Sequence, residues 1–125
     1  MNKGKHLVKK TLHSFKYAFN GLIILLKEEQ NARIHFIAAI IAIILGFLLE
    51  INTLEWAVIL LLIGIIISLE MINSAIERIA NFVCEEKNEQ IKRIKDLAAG
   101  AVLVMAIIAV IIAIIIFIPK IIHLF

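Results

Sequence analysis

The chain has 125 residues, 62% of them hydrophobic, and a formal net charge of +3. This length allows one domain, 1–125, and the apolar fraction is well above the roughly one half that soluble globular proteins carry. The composition therefore excludes an ordinary soluble domain and indicates an integral membrane protein. The single cysteine, Cys84, also excludes an intramolecular disulfide.

The first predicted element is an amphipathic helix over 5–27. Its apolar residues follow one another at steps of four and three, and its basic residues gather on the opposite side. A basic helix of this kind lies in the interface of an anionic membrane, so we expect a surface helix that either anchors the chain or also contributes to a site. The apolar positions are Val8, Leu12, Phe15, Phe19, Leu22 and Leu26.

Three apolar stretches follow, and we expect transmembrane helices over 31–49, 56–76 and 97–118. A helix needs roughly 20 apolar residues to cross about 30 Å of hydrocarbon. The first stretch reaches this length only if its helix begins at Asn31 and Arg33 extends its charge to the headgroups. The expected architecture is therefore all-α, with one surface helix and three transmembrane helices. Close helix packing is expected at three glycines, Gly46, Gly64 and Gly100.

The distribution of charged residues predicts the orientation of these helices. The turn 50–55 contains acidic residues and no Lys or Arg, whereas the loop 78–95 contains five basic residues. By the positive-inside rule, this loop and the N-terminal helix are cytoplasmic and the turn is external. Glu29, the stretch 70–77 and Lys95 then lie at the same cytoplasmic interface, and this convergence favours a functional site.

The stretch 70–77 places a polar face on an otherwise apolar helix, formed by Glu70, Asn73, Ser74 and Glu77. Ionisable groups inside a membrane are costly to hold there and are typically functional. Glu70 and Glu77 are seven residues apart, which is about 10 Å along a helix. The two carboxylates are therefore expected to have separate tasks.

The chemistry of these side chains indicates phosphoryl transfer to a lipid. Glu77 and Glu29 could hold Mg²⁺, which commonly uses one or two carboxylates together with nucleotide phosphates. Glu70, deeper in the membrane, could act as general base on a lipid hydroxyl, and Lys95 could neutralise phosphate charge. The chain has no Gly-x-x-x-x-Gly-Lys-Ser/Thr motif, so a site for ATP would have to be built from helices.

Two blocks resemble the signature of the bacterial diacylglycerol kinase and undecaprenol kinase family: Glu70-Met71-Ile72-Asn73-Ser74-Ala75-Ile76-Glu77 and Lys95-Asp96-Leu97-Ala98-Ala99-Gly100-Ala101-Val102. The resemblance extends to 14–21, 28–33 and 54–56, so it covers nearly the whole chain. It implies an ATP-dependent membrane kinase that works as a homotrimer with composite active sites. In it, Glu70 would be the general base, and Glu29 and Glu77 would bind Mg²⁺. The implied nucleotide contacts are Lys10, Tyr17, Glu29, Asn73, Glu77, Glu86, Lys87, Asn88, Lys95 and Asp96.

Local differences among family members bear on how the nucleotide is recognised and on which lipid is phosphorylated. Where relatives often read Glu-Tyr-His, this chain has Glu86-Lys87-Asn88, so recognition of adenine there would rest on the backbone. The residues at 15–19, 29–31 and 75–78 are more similar to the undecaprenol kinase branch. This similarity predicts phosphorylation of undecaprenol to undecaprenyl phosphate.

Two other functions remain open from the residues. A diacylglycerol kinase making phosphatidic acid would use the same chemistry on a different lipid, and a non-enzymatic channel or transporter subunit would use Glu70 as a pore or proton-coupling residue. His35 is interpreted as a packing or interfacial residue. A kinase of this kind is expected in the inner or plasma membrane of a bacterium, with its active site at the cytoplasmic face. Its partners would be a lipid alcohol and the bilayer, with no nucleic acid.

Overall fold

The computed structural model describes residues 2–84 and 88–125, which form four helices. They are α1 (Lys3–Glu28), α2 (Gln30–Leu48), α3 (Thr53–Val83) and α4 (Glu89–Leu124). No strand occurs in these two ranges. By length and composition, α2, α3 and α4 could each cross a membrane. The predicted all-helical architecture with three such helices is therefore confirmed.

The last two helices are longer than their apolar stretches. α3 has 31 residues and α4 has 36, and these two pack more extensively against each other than any other pair of helices. At about 1.5 Å per residue, α4 is about 54 Å long, whereas the hydrocarbon of a bilayer is about 30 Å thick. The polar end of α3 and the polar start of α4 therefore extend past the apolar thickness, side by side.

α1 and α2 are separated by a single residue, Glu29, whose backbone is extended with φ −115° and ψ 110°. Its N–H still donates to the carbonyl of Leu25, so α1 remains hydrogen-bonded up to this corner. Arg33 donates from Nη1 to the carbonyls of Leu26 and Lys27, at 3.0 and 2.9 Å. These bonds satisfy acceptors that the end of a helix leaves free. The corner is thereby closed, with Glu29 at its vertex.

α2 ends in a Schellman motif. The N–H of Ile51 donates to the carbonyl of Gly46 at 3.2 Å, and the N–H of Glu50 donates to that of Phe47 at 3.4 Å. Glu50 has a φ of 50°, in the left-handed region that usually takes glycine. The turn therefore closes on hydrogen bonds at the cost of backbone strain at a residue with a side chain.

α3 begins with a capping box. Asn52 Oδ1 accepts the N–H of Glu55 at 2.8 Å, and Glu55 Oε1 accepts the N–H of Asn52 at 3.0 Å. Glu55 also pairs with Lys120 Nζ at 3.1 Å, which joins the end of α4 to the start of α3. A cluster of buried apolar side chains lies at this same end, formed by Ile51, Ile59, Ile116 and Phe117.

The three glycines of the apolar stretches differ in their surroundings. A Cβ placed on Gly46 would lie 2.6 and 2.9 Å from two ring carbons of Trp56, so a larger residue there would require the Trp56 ring to move. Gly64 and Gly100 have no atom within 4 Å of such a Cβ, once their own helix is set aside. The expectation of close packing is confirmed at Gly46 and is wrong within this chain at Gly64 and Gly100, because those two glycines face away from the other helices.

The N-terminal part of α1 makes little contact with the rest of the chain. Residues 2–20 are all exposed. Its apolar side chains are open to the surroundings, with exposed fractions of 60 to 64% at Val8, Leu12, Phe15 and Phe19. Only the C-terminal part of α1, around the buried Leu25, packs into the fold. α1 therefore carries an apolar face that this chain does not cover.

Candidate active site

The vertex of the α1–α2 corner lies against the polar face of α3. Ser74 is buried, and its Oγ donates to Glu29 Oε1 at 2.9 Å although the two residues are 45 positions apart. Arg78 Nε in turn donates to Ser74 Oγ at 3.3 Å. One oxygen of Glu29 is therefore held in place by a hydroxyl from the middle of α3.

Arg78 joins both acidic residues of the corner. Its Nη2 lies 3.0 Å from Glu28 Oε2 and 3.5 Å from Glu29 Oε1. About half of each side chain of the Arg78–Glu28 pair is exposed, 49% and 54%, so the pair adds little stability by itself. Sequence reasoning missed Arg78, although its position four residues after Ser74 puts both on one helical face.

Glu70 is the most deeply placed carboxylate of the site. It is 5% exposed, and its Oε1 lies 3.2 Å from Nε2 of His35 on α2. Glu29 and Glu77 are close enough for their charges to act on Glu70. The structure thus gathers the three predicted carboxylates around one region of α3. It also adds His35, whose interpretation as a packing residue is incomplete.

Asn73 carries an acceptor without a partner. Its Oδ1 is buried and makes no hydrogen bond to any residue in the described ranges. Leaving such a group unsatisfied costs about 1–3 kcal/mol. Asn73 lies one turn after Glu70 on the same polar face, so a bound ligand at this face would supply the missing donor.

Lys95 and Asp96 lie where α4 passes the end of α3. Lys95 Nζ donates to Oδ1 of Asn81, one helical turn beyond Glu77 on α3. Asp96 pairs with Lys92 within α4, with 2.8 Å between Nζ and Oδ2. The structure therefore brings the Lys95 ammonium to the same end of α3 as Glu77, and it leaves Asp96 in an exposed pair.

The remaining predicted nucleotide residues are not part of this cluster. Lys10 and Tyr17 lie on the exposed part of α1, and Tyr17 is 71% exposed with its ring 6.5 Å from that of His13. Asn88 caps α4, since its Oδ1 accepts the N–H groups of Gln90 and Ile91 at 2.8 and 3.3 Å. Two further predicted contacts lie outside the described residues, Glu86 and Lys87.

The carboxylates do not form a protein-only metal cage. In 2–84 and 88–125, no group of three or more His, Cys, Asp or Glu side chains could hold a metal ion. Mg²⁺ is usually bound by one or two carboxylates together with waters and substrate phosphates. Two carboxylates, such as Glu29 and Glu77, would be enough for a site of that kind.

An apolar cavity of about 320 Å³ opens between α2, α3 and α4. His35 lines one end of it, next to Ile34 and Ile67, and the cavity continues along the helices away from the polar face. Alanines form much of its surface, since their small side chains leave space between the three helices. They are Ala38, Ala39, Ala42, Ala106, Ala109 and Ala113.

The comparisons with known proteins agree on one family. The model of the prokaryotic diacylglycerol kinase family matches residues 16–117. The undecaprenol kinase of Bacillus subtilis is 42% identical over 86% of this chain and 87% of its own length. The diacylglycerol kinase of Synechocystis is 34% identical over 81% of this chain and 58% of its own. That of Escherichia coli is 27% identical, over 76% and 78%.

The family match covers the helices that build the site. Residues 16–117 contain the α1–α2 corner, all of α3 and most of α4. The relatives are bacterial lipid kinases, and three helices of this chain could cross a membrane. These findings make the chain a bacterial membrane enzyme. It belongs to the prokaryotic diacylglycerol kinase family of lipid kinases.

Proposed function

We propose that this chain transfers the γ-phosphate of ATP to the hydroxyl of undecaprenol, producing undecaprenyl phosphate. The observation that carries the proposal is the burial of the Glu70 carboxylate inside an apolar helix, within electrostatic range of Glu29 and Glu77. An ionisable group at such a depth is typically functional. The 42% identity with an undecaprenol kinase supports the choice of lipid.

In the proposed reaction, Glu70 is the general base. The lipid hydroxyl loses its proton to the Glu70 carboxylate as its oxygen bonds to the γ-phosphorus, and the bond from that phosphorus to the β–γ bridging oxygen breaks, releasing ADP. Lys95 lies at the same end of α3 and neutralises charge on the transferring phosphate. Glu70 then returns its proton to water.

Glu29 and Glu77 would hold Mg²⁺ together with the phosphates of ATP, and the charge of the ion would offset that of the phosphates. Ser74 keeps one Glu29 oxygen fixed, and the unpaired Oδ1 of Asn73 accepts a hydrogen bond from a bound substrate. Glu86, Lys87 and Asn88, with the exposed side chains of Lys10 and Tyr17, complete the nucleotide site in this proposal.

The proposed assembly is a homotrimer, with each active site shared between subunits. Lys10 and Tyr17 are exposed within one chain and need a further surface to close a site around ATP. Many apolar side chains of the spans are also exposed, for example Leu61 and Ile115 at 64% each, which suits contact with lipid and with neighbouring subunits. Residues 1–125 form one membrane domain in this proposal, with α1 on the membrane surface.

The proposed active site faces the cytoplasm. The turn between α2 and α3 is acidic, whereas Arg78, Lys92, Arg93 and Lys95 surround the opposite ends of α3 and α4. The positive-inside rule supports a cytoplasmic position for that basic end. ATP would then reach the carboxylates from the compartment in which it is made.

Diacylglycerol is the second candidate substrate, because relatives that are 34% and 27% identical are diacylglycerol kinases. Purified protein in lipid bicelles, given Mg·ATP and one lipid at a time, separates the two. We expect phosphorylation of undecaprenol at the higher kcat/KM. A clear preference for diacylglycerol would reverse the assignment, and ion conduction without phosphorylation of either lipid would favour the channel class.

A pair of matched variants tests the role of Glu70. Glu70→Gln keeps the size of the side chain and removes the base, so kcat should fall by about 10²–10⁴-fold. Glu50→Gln makes the same change in the turn at the other end of α3 and should leave kcat unchanged. A folded Glu70→Gln variant with wild-type kcat would exclude Glu70 as the base.

A further inference from the structure

We propose that His35 is a positioning residue for Glu70, whose imidazole holds one carboxylate oxygen so that the other is directed at the lipid hydroxyl. The inference rests on the proposed function, since it assigns a role relative to the base of that reaction. It gives His35 a task that neither the sequence pattern nor the comparisons assign to it.

The imidazole and the carboxylate are in polar contact across two helices. His35 Nε2 lies 3.2 Å from Glu70 Oε1, within ion-pair distance. The side chains are largely enclosed, with exposed fractions of 22% for His35 and 6% for Glu70. With Nε2 carrying the proton, this contact engages Oε1 and leaves Oε2 to accept from a substrate.

Fixing the carboxylate matters because glutamate has a long, flexible side chain. A general base must lie within about 2.6–3.2 Å of the atom whose proton it takes, and a misplacement of about 1 Å can cost about 10²-fold in rate. Glu70 extends from α3, while His35 extends from α2. The pair therefore fixes the base from a second helix instead of relying on α3 alone.

His35 also lies between the proposed base, Glu70, and the apolar cavity. His35 lines the end of the apolar cavity between α2, α3 and α4 while its Nε2 faces Glu70. The same ring therefore forms part of an apolar surface and orients the carboxylate beside it. A residue that only filled space here would not need a ring nitrogen 3.2 Å from the Glu70 carboxylate.

Three variants separate positioning from packing. His35→Gln places an amide nitrogen the same number of bonds from Cβ as Nε2, so it keeps the donor. His35→Leu keeps comparable bulk and removes the donor. His123→Leu makes the same change at an exposed histidine near the end of α4, and serves as the control for loss of a histidine in this apolar chain.

The assay is Mg·ATP-dependent phosphorylation of undecaprenol and of diacylglycerol by the full-length protein in bicelles. We expect His35→Leu to lower kcat by about tenfold or more, with the KM for ATP within about twofold of wild type. His35→Gln should retain kcat within about threefold, and His123→Leu should match wild type. Loss of kcat alone, with rescue by Gln, is a pattern that a merely structural role would not produce.

Two results would overturn the proposal. One is wild-type kcat in His35→Leu, and the other is a His35→Gln variant as slow as His35→Leu. If His35→Leu does not fold, His35→Asn takes its place in the comparison, because the asparagine amide is one bond too short to reach Glu70. Equal kcat in the Asn and Gln variants would then overturn the proposal. If the wild-type protein phosphorylates neither lipid, the proposed function itself is wrong. If the wild type is active and His35→Leu has normal kcat, only the proposed role of His35 is wrong.

Discussion

Ser74→Ala tests whether the corner and α3 together prepare the cation site. Ser74 is 7% exposed, donates to Glu29 Oε1 at 2.9 Å and accepts from Arg78 Nε at 3.3 Å. Alanine leaves the helix intact and removes both bonds. Glu29 then loses its fixed orientation, and Arg78 is free to pair fully with it. Both changes would oppose the proposed binding of Mg²⁺ by Glu29.

The size of the effect follows from the lost bond. A hydrogen bond to a charged group contributes about 1.5–3 kcal/mol. The Glu29 side chain is 28% exposed, so water replaces part of the lost bond and about 1–2 kcal/mol remains. Since about 1.4 kcal/mol corresponds to a factor of ten, the KM for Mg·ATP should rise by about 5- to 30-fold.

Steady-state kinetics at saturating lipid, with Mg·ATP varied, measure this effect. The expected result is a raised KM for Mg·ATP with kcat within about threefold of wild type, because the variant leaves the proposed base Glu70 and Lys95 in place. The control is Ser68→Ala, at an exposed serine earlier on α3. A folded Ser74→Ala protein with an unchanged KM, or an equal rise in Ser68→Ala, would refute the reasoning.

Three further variants probe the opposite end of the helices. Gly46→Ala should lower the free energy of unfolding by about 1–3 kcal/mol, because its Cβ would collide with Trp56. The control is Gly64→Ala, whose Cβ meets open space. Equal stability of the two variants in denaturant titrations would contradict the close contact between Gly46 and Trp56. Glu50→Gly should raise the free energy of unfolding by about 1 kcal/mol, because glycine adopts the left-handed backbone at this position without strain. A variant less stable than wild type would argue against strain at Glu50. Lys120→Met removes the ion pair with Glu55 and should leave kcat within about twofold, and a larger loss would extend the active site to this end.

The long apolar helices could be predicted from hydropathy because membrane spans need continuous apolar sequence. The polar face of α3 was also predictable, since its residues share one helix and their spacing sets their direction. Contacts between helices were harder. The pairing of His35 with Glu70 depends on how α2 is rotated relative to α3, and no local pattern specifies that rotation.

The helices expected over 5–27 and 31–49 leave the boundary around Glu29, where the corner lies, but the sharpness of this one-residue corner illustrates a second limit. The residues around it, Glu28, Glu29 and Gln30, all favour helix, and neither glycine nor proline marks the corner. Its stabilisation comes from contacts distant in sequence, namely Ser74 and Arg78 on α3. The expectation of close helix packing at Gly64 and Gly100 was wrong for a different reason: a small residue permits a close contact without requiring one.

The one-residue corner at Glu29 limits which changes of chain length the protein can accept. Each residue added to a helix turns everything on its far side by about 100° and moves it by about 1.5 Å. An insertion in the last turn of α1 would therefore rotate the rest of α1 around its axis relative to α2, and one in the first turn of α2 would move Arg33 away from the carbonyls that it caps. Substitutions can accumulate on either side of Glu29, but the count of residues between Leu25 and Arg33 has to stay constant for α1 and the membrane helices to keep their relative orientation.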